Sequence, residues 1–394
     1  MTAEYGWYGD DFTGATDTLA SIAQRGRRAF LFLGVPGAAH LAAVPDLEAI
    51  GIAGAARTMP PDAMRAELAP VAAFFRQAGA RLLHYKCCST FDSGAGMGNL
   101  AVALDALRGF SGDPRAVIVG GQPSLGRYCA FGNLFATAEG QVHRLDRHPT
   151  MAHHPATPMA EADLTRHFAA MGARVGLVPW TEIDRIADHW DRANGPLLVD
   201  VLTPNHLDRI GAFLRGRRLL AIGASSVAEA FFAAAPQATR TEGIAGPVLA
   251  LAGSLSAKTR AQVAAAQLYT HIPLDAPDVA GRAADILRGG GNVLLNSAAI
   301  AAAPGIAAHC AALVDRILRA APVGRLAVAG GDTSSRVVMG LGIWGLAFHS
   351  RMADGVAVCT TRSDDPTRDR MTVLLKGGQM GDDRLFDRFA ARAA

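Results

Sequence analysis

Lysine is almost absent from this chain: Lys86, Lys258 and Lys376 stand against 35 arginines. The arginines are scattered, and no basic run is interleaved with aromatic residues, which argues against a nucleic-acid-binding protein. Cysteine is scarce too. Five are present, an odd number, with Cys87 and Cys88 adjacent and no CxxC anywhere. That pattern excludes a disulfide framework and a structural zinc site, and it leads us to expect reduced thiols in a cytoplasm. The N-terminus has no basic stretch before an apolar one and carries Asp10 and Asp11 early, so no signal peptide is expected. The most apolar segment, 293–314, is interrupted by Asn296, Pro304 and His309. A strand followed by a buried helix fits it better than a membrane span.

What is present is a chain of 394 residues, 50% hydrophobic and 19% charged, with a net charge of +3. It is long enough for two domains and apolar enough to bury large cores. Short apolar runs at 29–33, 81–85, 116–119, 197–201, 219–222, 248–252, 292–295, 326–329 and 372–375 read as strands. Several are continuous instead of alternating, as in strands covered on both faces. Helical stretches such as 61–77, 98–107, 161–171, 256–268 and 307–320 lie between them. The expected fold class is therefore α/β: two α/β domains with mainly parallel sheets flanked by helices. The polar segment 237–247, with two glycines and a proline, marks the boundary, giving domains 1–238 and 246–394.

Many strands run directly into Gly/Ser-rich turns, and the carboxyl ends of strands are where open α/β sheets bind ligands. Asp10-Asp11-Phe12-Thr13-Gly14 lies at such a strand-to-helix turn. Of two adjacent carboxylates there, one can hold sugar hydroxyls or take a hydroxyl proton while the other caps the helix. Sequence alone does not say which does which. Lys86-Cys87-Cys88-Ser89-Thr90-Phe91-Asp92-Ser93 follows another strand and offers groups for a carboxylate or a polyol.

In the second half, Gly253-Ser254-Leu255-Ser256-Ala257-Lys258-Thr259 has its lysine one residue too early, and lacks the preceding glycine, for a Walker A loop. It can still present backbone N–H groups to a phosphate at a helix N-terminus. Gly330-Gly331-Asp332-Thr333-Ser334 repeats that geometry, and Asp332 is a candidate for holding Mg²⁺ through water. With Lys376-Gly377-Gly378-Gln379, these turns read as a nucleotide phosphate site. Gly340–Gly345 matches GxGxxG but follows a helical segment, so it is not a dinucleotide fingerprint. His143, His148, His153 and His154 cluster with Asp146 without an i,i+4 helical pair. A substrate- or anion-contacting loop suits them better than a metal site.

Taken together, these strings resemble the four-carbon acid sugar kinase family. The resemblance runs in order through 9–17, 85–93, Gly126-Arg127-Tyr128 with 132–135, 154–159 with 161–164, 253–256, 330–334 and 376–381. It implies an N-terminal acid-sugar domain, a C-terminal ATP domain and phosphoryl transfer in the cleft between them. The acceptor would be the terminal hydroxyl of a threonate, erythronate or oxo-tetronate type of acid. By this resemblance Asp10, Asp11, Thr13, Lys86, Ser89, Thr90, Asp92, Arg127 and His154 line the sugar site, with Asp10, Asp11 and Lys86 in catalysis. Gly253, Ser254, Ser256, Gly330, Gly331, Asp332, Thr333, Ser334, Lys376, Gly377, Gly378 and Gln379 hold ATP, and Mg²⁺ accompanies it.

Three places depart from the family's pattern, one of them the unusually charged insert Thr360–Arg370. Ser225-Ser226-Val227 replaces Ser-Ser-Gly, and Asp354–Val358 replaces a Pro-Gly-x-Pro-Leu loop. These changes bear on the nucleotide side more than on the sugar side, and they leave room for a branched or five-carbon acid. A silent acid-sugar sensor and a metal-dependent hydrolase or aldolase built on Asp10, Asp11 and the histidines are the other readings. The Ala-rich helices leave a homo-oligomer open.

Overall fold

The computed structural model describes residues 3–154, 157–233, 237, 245–297 and 305–391, and the side chain of Asp332 lies outside what it describes. Most of the expected boundary segment 237–247, and Pro155-Ala156 of the fourth string, fall outside these residues as well. The chain divides into two compact units. One comprises Met1–Ala29 and Val35–Gln237, the other Phe30–Gly34 and Ala238–Ala394.

The chain begins β1 (Tyr5–Gly9), α1 (Phe12–Ala23), β2 (Ala29–Phe32), α2 (Ala38–Ala43), β3 (Ala49–Ala53), α3 (Pro61–Gln77), β4 (Leu82–Lys86), α4 (Leu100–Leu107) and β5 (Ala116–Val119). A meander follows, β6 (Arg127–Ala130), β7 (Asn133–Ala138) and β8 (Gln141–Arg144). Then come α5 (Leu164–Ala170), β9 (Gly176–Val178), α6 (Ile186–Arg192), β10 (Leu197–Val199), α7 (Pro204–Arg215), β11 (Leu219–Gly223) and α8 (Ser226–Phe231).

In the first unit the strands are ordered β3-β1-β4-β11-β5-β10-β9, and every pairing is parallel. β1, β3, β4, β5 and β11 are buried along their whole length. Gly51 on β3 lies opposite Trp7 on β1 and leaves room for the indole, which is fully buried. His84 on β4 ties three strands: its ring bonds Tyr5 Oη at 2.7 Å and Gly223 O at 3.1 Å. Burial lowers its pKa to about 3, so the ring stays neutral.

The second unit continues with β12 (Val248–Ala252), α9 (Ala257–Ala265), β13 (Thr270–Pro273), α10 (Val279–Arg288), β14 (Val293–Asn296), α11 (Ile306–Ala320), β15 (Arg325–Ala329) and α12 (Gly331–Gly340). It ends with β16 (Ile343–Ala353), β17 (Val356–Ser363), β18 (Thr372–Lys376) and α13 (Leu385–Ala390). The strand order is β13-β14-β12-β15-β18-β17-β16-β2. The first five are parallel; β17, β16 and β2 add antiparallel ribbons. β2 thus belongs to the sheet of the second unit although it lies near the start of the chain.

The mainly parallel α/β architecture agrees with the sequence reading, and each expected strand is present within a residue or two. Several strands were not foreseen, β9 and β13 among them, and three cases have a clear reason. The β6–β8 sheet is half-exposed, and its sequence lacks a continuous apolar run. β3 reads Ala-Ile-Gly-Ile-Ala, too short and too small in its side chains to stand out. The β16–β17 ribbon turns at Asp354-Gly355, where Gly355 takes a φ of +71°. The stretch without the family's proline loop is therefore a tight hairpin. Gly340 ends α12 and Ile343 opens β16, so the GxGxxG string runs from helix to strand, the reverse of a dinucleotide turn. Among the described residues no helix is long and apolar enough to cross a membrane.

Candidate functional site

Two clusters of chemistry-bearing residues emerge, one per unit, each on the carboxyl ends of adjacent parallel strands. In the first unit the chain leaves β1 toward β3 on one side, while β4 leads away to β5 on the other. The loops after β3, β1 and β4 therefore gather where the connections reverse, the usual ligand position in such sheets.

Asp11 is the N-cap of α1. Its Oδ1 accepts from Gly14 N at 2.8 Å, and its Oδ2 accepts from Thr13 Oγ1 at 2.7 Å. Asp10 makes no such turn contact. Both carboxylates are instead bridged by Arg57, from the loop after β3. Arg57 Nη2 lies 2.7 Å from Asp10 Oδ1, Nε 3.3 Å from Asp10 Oδ2, and Nη1 2.9 Å from Asp11 Oδ2. Burial pushes the Asp10 pKa up to about 6 against the pull of Arg57. Asp11 is equally buried, yet Arg57, Lys86 and its hydrogen bonds overcome burial and hold its pKa below the usual carboxylate range. The pair is thus split into a structural anion and a more basic one.

Lys86 ends β4 beneath them. Its Nζ donates to Cys87 O at 2.7 Å, and its charge acts on both aspartates. Gly14 keeps this space open, since a Cβ there would sit 2.8 Å from Lys86 Nζ. In the same loop Thr90 Oγ1 donates to Asp92 Oδ1 at 2.9 Å, and Ser89 is buried nearby in sequence. Arg57 also acts on Asp92 and Cys88, and His154 on Asp92. His154 Nδ1 accepts from Thr157 N at 3.1 Å. Arg127 opens β6, its Nη1 donating to Leu125 O at 2.7 Å, while its buried Nε has no hydrogen-bond partner among the described residues.

Arg57 is the residue that the sequence did not disclose. Nothing distinguishes it among 35 arginines until β3 is recognised as a strand beside β1. The Ser225-Ser226-Val227 departure lies in the first unit. Ser225 Oγ donates to Asp17 Oδ2 of α1 at 2.5 Å. Among the described residues no three His, Cys, Asp or Glu side chains gather as a metal site. His148 Nδ1 accepts from Thr150 N and Met151 N, each at 3.2 Å.

In the second unit the connections reverse between β12 and β15, since β12 leads to β13 while β15 leads toward β18. The three glycine-bearing turns lie at the ends of β12, β15 and β18, which are neighbours. They are interlocked. Gly253 N donates to Ala329 O at 2.9 Å, and Gly330 N to Lys376 O at 2.9 Å. Ser256 caps α9 through Thr259 N, and its Oγ donates to Gly378 O at 2.5 Å. A Cβ on Gly253 would come 2.5 Å from Thr333 Oγ1, and one on Gly378 would come 2.5 Å from Ser254 Oγ. Gly330, at φ +119°, is the N-cap of α12 and, being glycine, offers no side chain to the helix's first N–H groups.

Lys376 is fully buried under these turns, its Nζ 2.9 Å from Thr259 Oγ1 and 3.3 Å from Gly378 O. Burial, with Lys258 adding to it, lowers its pKa to about 7. Two of the expected ligands make no side-chain hydrogen bond to the neighbouring turns among the described residues. Ser334 Oγ turns back to Val328 O at 3.3 Å, and Gln379 is exposed. Lys258 is on the surface, paired with Asp383 at 3.0 Å.

Comparison with known proteins matches the two halves of the chain to two different family models. Residues 5–231 match a family model described as a sugar-binding N-terminal domain, and residues 291–386 match one described as a nucleotide-binding C-terminal domain. A 3-oxo-isoapionate kinase from Paraburkholderia graminis is 34% identical, over 96% of this chain and 92% of its own. A 3-oxo-tetronate kinase from Methylobacterium radiotolerans is 30% identical, over 98% of this chain and 99% of its own. A solved structure from Salmonella typhimurium LT2 shares the fold with a TM-score of 0.81 at 24% identity, each chain covering the other completely. A Haemophilus influenzae protein does so with a TM-score of 0.74 at 23% identity over 98% of both chains. An acidic cluster on a sugar-binding domain and interlocked phosphate-type turns on a nucleotide-binding domain, joined in one chain, are the marks of a sugar kinase, and the chain belongs to the four-carbon acid sugar kinase family.

Proposed function

We propose that the protein transfers the γ-phosphoryl group of ATP to the terminal hydroxyl of a short oxo acid sugar, with 3-oxo-isoapionate and 3-oxo-tetronate as the first two candidates. The observation that carries this reading is the division of labour between Asp10 and Asp11. Asp11 has its oxygens committed to Thr13, Gly14 and Arg57, whereas Asp10 is held by Arg57 alone and is the more basic of the two.

Asp10 is then the base. It takes the proton of the acceptor hydroxyl as the oxygen attacks phosphorus, the bond to the β-phosphate breaks, and ADP leaves. Phosphoryl transfer needs positioning and charge neutralisation more than covalent chemistry. Arg127, half-buried with an Nε unpartnered among the described residues, is assigned the carboxylate of the acid sugar. Lys86, Ser89, Thr90, Asp92 and His154 complete that side, Thr90 and Asp92 as partners for hydroxyl groups.

The turns at 253–256, 330–333 and 377–378 receive the phosphates of ATP on backbone N–H groups, with Lys376 as the cation beneath them. The fit rests on the positions where a Cβ would fill the cradle, at Gly253 and Gly378, and on the uncapped start of α12. Mg²⁺ carried with the nucleotide would neutralise charge on the transferred group. A coupled ADP-release assay with both oxo acids, in wild type and Asp10→Asn, tests the proposal. Turnover with one acid that disappears in the variant supports it. Stabilisation by the acid with no ADP release from any acid sinks it in favour of a sensor.

A further inference from the structure

We infer that Arg57 is a positioning residue for phosphoryl transfer, its guanidinium fork holding the Asp10 carboxylate in the orientation from which it takes the acceptor proton. The inference deepens the function proposed above and rests on it.

The geometry is specific. Three nitrogens of one guanidinium are engaged, two on Asp10 and one on Asp11, at 2.7 to 3.3 Å. Only the planar arginine fork spans two carboxylates in this way, whereas a lysine would present a single point of charge. The backbone of Arg57 is fixed to the same place, since its N–H donates to Asp10 O at 3.2 Å. The loop carrying it is pressed against β1, with Gly54 N donating to Gly9 O at 2.9 Å. On its other side Gly98 N donates to Met59 O at 3.0 Å. Gly98, at φ +59°, approaches so closely that a Cβ would lie 2.5 Å from Arg57 O. The side chain is only 21% exposed, and Asp10 only 3%.

The electrostatics require such a group. Asp10 and Asp11 are adjacent and buried, with Asp92 acting on the same guanidinium. With Arg57 gone, Lys86 alone would act as a cation on both carboxylates, and like charges at this range then favour a proton on one of them. Asp10, already the more basic, would take it and lose its function as the base. Arg57 therefore sets both where the Asp10 oxygens face and the pH above which they are free to accept.

The test compares wild type, Arg57→Lys and Arg57→Ala across pH 5–8 with saturating Mg·ATP. In wild type the acid limb of kcat/KM falls near the Asp10 value of about 6. Arg57→Ala is expected to move this limb up by about one pH unit or more, because a neighbouring cation is removed. Arg57→Lys should keep much of the charge and restore most of the limb's position. It should still lose kcat by about 100-fold, because the carboxylate is no longer held by a fork. The KM for ATP should stay unchanged in both variants.

A purely structural Arg57 would lower thermal stability and leave the pH limb in place, and that result overturns the inference. So does a fully active Arg57→Lys. If Arg57→Ala fails to fold, Arg57→Lys carries the test through its kcat. A carboxyl ¹³C titration of Asp10, assigned with Asp10→Asn, reads the coupling without turnover. A midpoint that is the same in wild type and the arginine variants overturns the inference even if the kinase reading stands. Absence of acid-sugar turnover in wild type, with a midpoint that moves, refutes the kinase reading and the positioning role with it, leaving only the Arg57–Asp10 coupling.

Discussion

Lys376 Nζ donates to Thr259 Oγ1 at 2.9 Å, so the last strand of the second unit reaches under the cap of α9 and fastens two phosphate-type turns together. The lysine is fully buried and its pKa falls to about 7, first through burial and then through Lys258. Its charge is therefore conditional near neutral pH, and bound phosphate would favour the charged form. ATP affinity is expected to weaken as pH rises from about 7 toward 8.5. Titration calorimetry at several pH values checks this, and Lys376→Met should abolish the trend along with most of the binding.

The same group makes a prediction about folding. A lysine whose folded pKa lies near 7 and whose unfolded value is near 10.5 binds fewer protons when folded across that window. Its contribution to stability therefore rises as pH increases from about 7 to 10.5. Melting of wild type and Lys376→Met as a function of pH isolates the term, and the two curves should converge at high pH. Curves that stay parallel would contradict a buried lysine of lowered pKa.

Asp10 and Asp11 should separate by assay. Asp10→Asn is expected to lose at least 100-fold in kcat while binding the acid sugar. For Asp10 the sign of the stability term is opposite to that of a paired carboxylate. Its folded pKa, about 6, lies above the ordinary 3.8, so this group's contribution falls as pH rises from about 4 to 6. Asp10→Asn should remove that slope. Asp11→Ala removes the cap of α1 and should cost about 1 kcal/mol of stability, seen as a lower urea midpoint.

Gly253→Ala should act on the nucleotide alone. The new methyl would lie 2.5 Å from Thr333 Oγ1 and must push the two turns apart. Overpacking of this kind costs about 1–3 kcal/mol, and here it falls on the phosphate cradle. The KM for ATP should rise about tenfold or more, with the KM for the acid sugar unchanged. A variant with wild-type ATP kinetics would show that the turns do not form the cradle.

Ser225→Ala probes the hydroxyl two residues before the departure at Val227. Its hydroxyl donates to the buried Asp17 at 2.5 Å and meets Thr18 Oγ1 at 3.1 Å. Loss of a hydrogen bond to a carboxylate is expected to cost about 1.5–3 kcal/mol of stability. Chemical denaturation reads this, with the KM for ATP as the control that should not move.

By itself the sequence determined the α/β class and the continuous apolar strands. It also located the three turns that end in Gly/Ser strings, because burial on both faces and close backbone approach are local demands that particular residues must meet. Asp11 as a cap was legible for the same reason, since a carboxylate three residues before Gly14 satisfies an N–H of the helix it begins. It was only one of two readings for the pair. That the other aspartate became the basic group was decided by tertiary structure. Arg57 comes from 46 residues beyond Asp11 along the chain, and its role exists only because β3 pairs beside β1. The lowered Lys376 pKa depends likewise on burial beneath Thr259 and Gly378. Charge state and orientation are properties of neighbours in space, and strand order, which the local sequence does not encode, chose those neighbours.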